Sequence, residues 1–177
     1  MRPGLCHRGR NRPRQGPGQG GARRPPAGME ANVEVFLDTN VLMAASVRQH
    51  PHFSRADAVL RRCLEGEDKG WGHTHSLLEF LSAMTQRPKG LAVPPALVSS
   101  LPEQGIPAQG RLVALPGKEL PLVQKRAGEP GVIGGIISDF FHLSVVRREG
   151  VTRFFTFHTT HFQSLSEPGF LARIVAP

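Results

Sequence analysis

The sequence predicts an α/β protein, a three-layer α/β/α sandwich with a central parallel sheet of four or five strands. Short runs rich in β-branched and aromatic residues, such as Val33–Leu37, alternate with longer segments whose apolar residues recur at helical spacing. The longest helical pattern, Gly134–Arg148, leads directly into another such run, Arg153–Phe157. Strands separated by helices form parallel sheets that helices cover on both faces.

The elements follow one another in a regular order. The predicted strands are Val33–Leu37, Gly70–Thr74, Arg111–Leu115, Arg153–Phe157 and Arg173–Val175. The predicted helices are Val41–Ser46, Ser54–Leu64, Ser76–Gln86, Pro94–Leu101, Glu119–Ala127 and Gly134–Arg148. Asp38, Thr39 and Asn40 offer N-cap side chains for the first helix, and Gly150 provides a C-cap after the longest one.

Positive charge is concentrated at the N-terminus. Residues 1–28 contain seven arginines and no acid, whereas residues 29–177 contain fifteen Lys and Arg against fourteen Asp and Glu. We predict that residues 29–177 form one domain, which is nearly neutral. A nearly neutral domain that bound a nucleic acid would have to do so through local patches and bound metal rather than through its overall field.

Residues 1–28 are dominated by Gly, Pro and Arg, which predicts a disordered segment with almost nothing to bury. Three interpretations remain open: a nucleic-acid-binding arm, a mitochondrial-type presequence, or residues upstream of a true initiator at Met29. Gly and Pro argue against a presequence helix, and the compact pattern that begins after Met29 favours the third interpretation.

The chain shows no signal-peptide core and no apolar run near the ~20 residues that cross a bilayer. Its two cysteines, Cys6 and Cys63, do not make a disulfide framework, and Cys63 is predicted to be a small buried helix residue. We therefore expect a cytoplasmic protein.

Three acids stand in apolar surroundings. Asp38 follows the first predicted strand, at the edge where open α/β sheets form sites, while Glu79 and Asp139 interrupt apolar helix patterns. The alternative for Asp38 is an N-cap, but Thr39 and Asn40 could cap the helix as well, which favours a functional role. Taken singly, Glu79 would be a solvated helix residue. Buried carboxylates are costly unless they are paired or bind a cation, so together the three fit one site for Mg²⁺ or Mn²⁺.

Three polar residues accompany this site in the sequence. Thr39 and Asn40 follow Asp38 directly, and Thr156 lies in the fourth predicted strand. We predict that they do not bind the metal themselves but hydrogen-bond to Asp38 or to a metal-bound water and so orient it.

Four segments, in this order and spacing, resemble the PIN-domain family. They are Val35–Leu42 around the first acid, Thr74–Phe80 around the second, Gly134–Leu143 around the third, and Val151–Phe157 leading to a fourth position. The resemblance covers about residues 31–177 and is most similar to the VapC type of toxin in bacterial toxin–antitoxin systems.

The resemblance implies a ribonuclease, a hydrolase that cleaves RNA phosphodiester bonds with Mg²⁺ or Mn²⁺. Asp38, Glu79 and Asp139 would be its catalytic and metal-binding residues. It also implies a cognate antitoxin and, often, a homodimer. The alternative is a catalytically weakened PIN domain that serves as an RNA- or antitoxin-binding module.

After Phe157 the sequence departs from the family pattern. Family members usually have Asn at the next position and Asp three residues later, whereas this chain has His158 and His161. The fourth acid is therefore missing, and imidazole suits Mn²⁺ or Zn²⁺ better than Mg²⁺. Two interpretations remain open: a neutral histidine that transfers protons near pH 7, or surface loop histidines in a weakened enzyme.

Three further histidines lie near these motifs. His73 and His75 flank the second predicted strand, and His142 follows Asp139 by one helical turn, where it is predicted to pack against the sheet. A zinc site formed by His73, His75, His158 and His161 would match no familiar ligand spacing.

Overall fold

The computed structural model describes residues 32–86 and 111–177. The predicted tail, Met29 and the predicted helix Pro94–Leu101 lie outside the described residues. The strands are β1 (Glu34–Leu37), β2 (Lys69–His73), β3 (Arg111–Val113), β4 (Arg153–Phe155) and β5 (Ile174–Val175). The α-helices are α1 (Thr39–Ser46), α2 (Phe53–Leu64), α3 (Thr74–Thr85), α4 (Leu120–Ala127), α5 (Gly135–Arg148) and α6 (Thr159–Leu165).

The five strands form one parallel sheet in the order β3-β2-β1-β4-β5. The central strand β1 pairs Phe36 with Trp71 on one side and with Phe154 on the other. Because every strand runs in the same direction, all carboxyl ends meet at one edge of the sheet. Asp38 and Thr156, which directly follow β1 and β4, therefore lie at this edge.

Alternation along the strands produces the three predicted layers. Phe36 and Phe154 belong to a core on one face of the sheet, which α5 and α6 cover. Val35, Leu37 and Phe155 belong to a separate core on the opposite face, which α1 and α2 cover. The predicted α/β/α sandwich with a parallel sheet is thus confirmed. In the described parts of the chain, no helix is long and apolar enough to span a membrane.

One helix was missed in the sequence. Helix α6 was not predicted, because its seven residues carry one buried apolar anchor, Phe162, and otherwise mostly polar side chains. By contrast, Cys63 is buried, and Gly150 has a φ of 68° directly after α5, the left-handed conformation expected of a glycine C-cap.

A buried ion pair fastens the turn before β2 to the rest of the sheet. The Arg62 guanidinium donates to Asp68 at 2.6 and 3.0 Å, and Asp68 also accepts the backbone N–H of Val33, which precedes β1. We expect Asp68→Ala to lower the free energy of unfolding by about 2 kcal/mol, because the buried Arg62 loses two charged hydrogen bonds while it keeps its pair with Glu67 at 2.9 Å. Asp57→Ala, which breaks the exposed pair with Arg61, should cost under about 1 kcal/mol.

Urea unfolding of both variants checks this expectation. Equal losses of stability in Asp68→Ala and Asp57→Ala would show that the buried pair contributes no more than the exposed one.

Candidate metal centre

Asp38 is held by hydrogen bonds from side chains rather than used to cap a helix. It is 4% exposed and occupies the N-cap position of α1, yet its side chain makes no capping hydrogen bond. Its Oδ2 accepts from Thr156 Oγ1 at 2.7 Å and from Asn40 Nδ2 at 2.6 Å. Two of the three polar residues predicted near the site therefore contact Asp38 directly.

Thr156 is the hub of this network. While its hydroxyl donates to Asp38, the same oxygen accepts from Asn40 Nδ2 at 3.1 Å and from the His158 backbone N–H at 3.0 Å. Asn40 Oδ1 in turn accepts the Phe157 N–H at 3.2 Å. These bonds fix the segment after β4 against the start of α1 and orient the Asp38 carboxylate.

Replacing Thr156 by Val should loosen Asp38 without changing side-chain shape. We expect the free energy of unfolding to fall by about 2 kcal/mol, because buried partners of the hydroxyl lose their bonds. Any metal-dependent activity should fall about 10- to 100-fold, the usual effect of losing a group that orients a ligand. Thr152→Val, exposed at the other end of β4, is the matched control. Thermal unfolding and metal titration measure both effects, and identical behaviour of the two variants would contradict this role.

Burial and like charge disfavour ionisation of Asp38. The pKa of Asp38 is raised to about 7. Burial is the largest cause, the hydrogen bond from Thr156 opposes it, and the negative charges of Asp139 and Glu79 add to the rise. The three carboxylates are therefore close enough to repel one another. A bound cation would relieve this repulsion.

Glu79 and Asp139 reach the site from two helices. Glu79, on α3, has a side chain that is 31% exposed, and its Oε2 accepts from Thr39 Oγ1 at 3.1 Å. Asp139, on α5, has a side chain that is 22% exposed. Burial raises the pKa of Asp139, and the hydrogen bond and charge of His161 oppose that rise.

His161 is paired with the third acid. Its Nε2 lies 2.7 Å from Asp139 Oδ2, and an ionised carboxylate makes the ring nitrogen the donor. His161 lies in helix α6 rather than in a surface loop. His158 is exposed and immediately precedes that helix. The residue at the position of the missing fourth acid thus contacts a proposed metal ligand directly.

Sequence reasoning missed the position of His142. The side chain is almost fully buried, with Nδ1 3.8 Å from Asp38 Oδ1 and Nε2 3.6 Å from Glu79 Oε2. Burial lowers its pKa to about 3, so the ring is neutral. The available signal was its spacing, because a residue three positions after Asp139 shares its helix face. Instead of only packing against the sheet, His142 lies between two of the predicted ligands.

The donor atoms suit a hard divalent ion, but they are not preassembled. Across residues 32–86 and 111–177, no three His, Cys, Asp or Glu side chains already form a group that would hold a metal. Oδ2 of Asp38 and of Asp139 is hydrogen-bonded within the protein, which points to Oδ1 of each as the oxygen for an ion. Carboxylate oxygens of this kind are the usual ligands of Mg²⁺ and Mn²⁺. The residues fit the ion chemically, and binding requires side-chain adjustment.

An open groove of ≈ 510 Å³ borders the acidic edge. Asp139, His158 and His161 line one part of it, and Phe157 and Ile133 supply apolar walls. Ile133 is 77% exposed. The groove leads from solvent to the third acid.

Comparison with known proteins identifies a similar fold. No family model matches the chain, and no curated protein matches it significantly. Among solved structures, it is similar to Mycobacterium tuberculosis VapC20, described as a toxin that cleaves the sarcin–ricin loop. The TM-score is 0.57 at 13% identity, and the match covers 75% of this chain and 95% of that one. The described residues therefore adopt a fold similar to that of a VapC toxin.

Proposed function

We propose that the protein is a metal-dependent endoribonuclease in which Asp38, Glu79 and Asp139 hold Mg²⁺ or Mn²⁺. The proposal is supported by the position of Asp38 at the carboxyl edge of the sheet and by His142, whose ring nitrogens lie 3.8 Å from Asp38 Oδ1 and 3.6 Å from Glu79 Oε2. The negative charges of Asp139 and Glu79 also add to the rise in the pKa of Asp38 that burial causes. The similarity in fold to VapC20 supports the same activity. RNA is the proposed substrate, and the groove beside Asp139 gives a strand access.

In this proposal the three acids would bind the ion, and the neighbouring polar side chains orient the acids. When bound, the divalent ion supplies Lewis acidity that activates water and offsets charge on the phosphate. Thr156 and Asn40 hold Asp38 so that Oδ1 points away from their hydrogen bonds, and Thr39 holds Glu79. Burial of Asp38 and Thr156 keeps bulk water from this carboxylate and strengthens its electrostatic effect.

The biological role we propose is that of a toxin in a toxin–antitoxin pair, acting in the cytoplasm. Its proposed partners are an antitoxin protein and a second copy of the chain. The support is the fold shared with VapC20, together with the family-like motifs around the three acids.

An RNA cleavage assay with Mg²⁺ or Mn²⁺ tests the activity. We expect Asp139→Asn to reduce cleavage at least about 100-fold, because it removes a proposed metal ligand. Loss of a residue that only hydrogen-bonds to a metal ligand already costs about 10- to 100-fold. Glu149→Gln, just beyond the far end of α5, is the charge-matched control and should retain activity. Equal cleavage by the native chain and Asp139→Asn would reject the proposed nuclease.

A second candidate is a binding module with weak turnover. It is favoured by the contact between His161 and Asp139, since a histidine here occupies Oδ2 of one acid and adds no negative charge for an ion. This candidate would be supported over the nuclease if the native chain binds RNA and its cleavage of RNA with Mg²⁺ or Mn²⁺ does not exceed that of Asp139→Asn.

A further inference from the structure

Three histidines form a compact cluster beside the acids. His73 ends β2, His75 lies in the first turn of α3, and His142 lies on α5. Their ring centroids are separated by 6.2 Å for His73 and His75, 6.0 Å for His73 and His142, and 6.3 Å for His75 and His142. The three rings therefore form a nearly equilateral triangle. One ring comes from a strand, β2, and the other two come from the helices α3 and α5.

The cluster contains buried nitrogen atoms without partners. His73 is 2% exposed, and both of its ring nitrogens are buried without a hydrogen bond among the described residues. His142 Nδ1 is also buried without a hydrogen bond, but it faces Asp38 Oδ1 at 3.8 Å and is not the nitrogen that would bind the ion. Buried polar atoms are nearly always satisfied, so such exceptions commonly mark the place of an ion or a water molecule.

Glu79 adds a carboxylate at a spacing typical of zinc ligands. Ligand atoms about 2.1 Å from a tetrahedral zinc ion lie about 3.4 Å from each other. Glu79 Oε1 is 3.4 Å from His75 Nε2, and Glu79 Oε2 is 3.6 Å from His142 Nε2. Three histidines and one carboxylate form a donor set that suits Zn²⁺ better than Mg²⁺.

We propose that His73, His75 and His142, together with Glu79, bind a transition ion of the zinc class. This site goes beyond the proposed nuclease centre and shares only Glu79 with it. An ion there ties β2 and α3 to α5 and gives His73 the partner that it lacks.

Binding exchanges existing hydrogen bonds for metal bonds. His75 Nε2 is hydrogen-bonded to Ser138 at 3.0 Å, and His142 Nε2 is hydrogen-bonded to Ser76 at 2.9 Å. Among the described residues, the four side chains are thus adjacent but not already arranged as a group that would hold a metal. Ligation through these nitrogens releases both serine hydroxyls.

Zinc titration of the full chain, after removal of metals with EDTA, tests the proposal. Calorimetry should show one Zn²⁺ per chain and thermal unfolding should shift upward, while added Co²⁺ should give the visible absorption of a tetrahedral centre. His73→Phe keeps a buried ring but removes the ligand, and it should weaken Zn²⁺ binding more than about tenfold. His158→Phe, an exposed histidine outside the cluster, should bind Zn²⁺ as the native chain does.

His75→Ala provides a second variant, since this side chain is 41% exposed and its loss should not prevent folding. Asp139→Asn separates the zinc site from the acidic centre, because Asp139 is a proposed ligand of Mg²⁺ only. Unchanged Zn²⁺ affinity in both His73→Phe and His75→Ala would overturn the proposal. So would loss of Zn²⁺ binding in Asp139→Asn alone. Neither result bears on RNA cleavage with Mg²⁺, which tests the nuclease separately.

Discussion

Asp38→Asn is expected to lose metal-dependent RNA cleavage and, at the same time, to become more stable than the native chain above neutral pH. Burial and the neighbouring acids raise the pKa of Asp38 to about 7 from 3.8, so ionisation of this side chain costs the folded state free energy. Below pH 3.8 the folded and unfolded chains both hold the proton and the cost is absent. It develops as the pH rises and reaches about 4 kcal/mol above pH 7.

Asparagine removes this cost and keeps an oxygen that accepts from Thr156. Thermal unfolding in EDTA should therefore show a gain in stability for Asp38→Asn that is largest near pH 8 and closes as the pH falls toward 4. Added Mg²⁺ should stabilise the native chain and leave the variant unchanged, because ligand binding stabilises only a fold that binds it. A variant less stable than the native chain at pH 8 without metal would contradict the electrostatic argument.

His161→Asp is expected to restore a fourth carboxylate beside Asp139. Without metal, the free energy of unfolding should fall by about 2 kcal/mol, since a charged hydrogen bond is exchanged for repulsion between two acids. With Mg²⁺, affinity and cleavage should each rise at least about tenfold, because the added charge favours a hard cation.

His158→Asp introduces the same charge next to the site without replacing the partner of Asp139, and it serves as the control. Titration of both variants with Mg²⁺, followed by RNA cleavage, separates the effects. If His161→Asp behaves like His158→Asp, the fourth acid is dispensable in this chain.

The sheet and most helices could be predicted because the apolar spacing that defines them is local. Val33–Leu37 and Gly134–Arg148 each contain enough apolar residues to reveal a strand and a helix, and both elements are present with small changes in their bounds. Helix α6 carries a single buried anchor, Phe162, so its periodicity is too weak to recognise. Phe162 is buried against Phe154 of β4, and the centroids of the two rings are 4.7 Å apart.

The candidate site was predictable only in part. Asp38 stands out because it follows an apolar strand at the carboxyl edge of the sheet, and Asp139 because it interrupts an apolar helix pattern. Glu79 also interrupts such a pattern, but the family resemblance contributes most to its prediction. His142 was missed because nothing local reveals that two carboxylates from other elements approach its ring. The contact between His161 and Asp139 is equally hidden, since it depends on how α6 packs beside α5.

The dependence of Asp38 on Thr156 also has a consequence for synthesis on the ribosome. The two residues are 118 positions apart, and the central strand β1 lacks its neighbour β4 until that part of the chain has emerged. A nascent chain that ends after α5 already contains all three acids, but not the strand that positions the first. Such long-range pairing forms late in folding. A growing polypeptide would therefore carry all three proposed metal ligands before the residue that orients Asp38 has been synthesised.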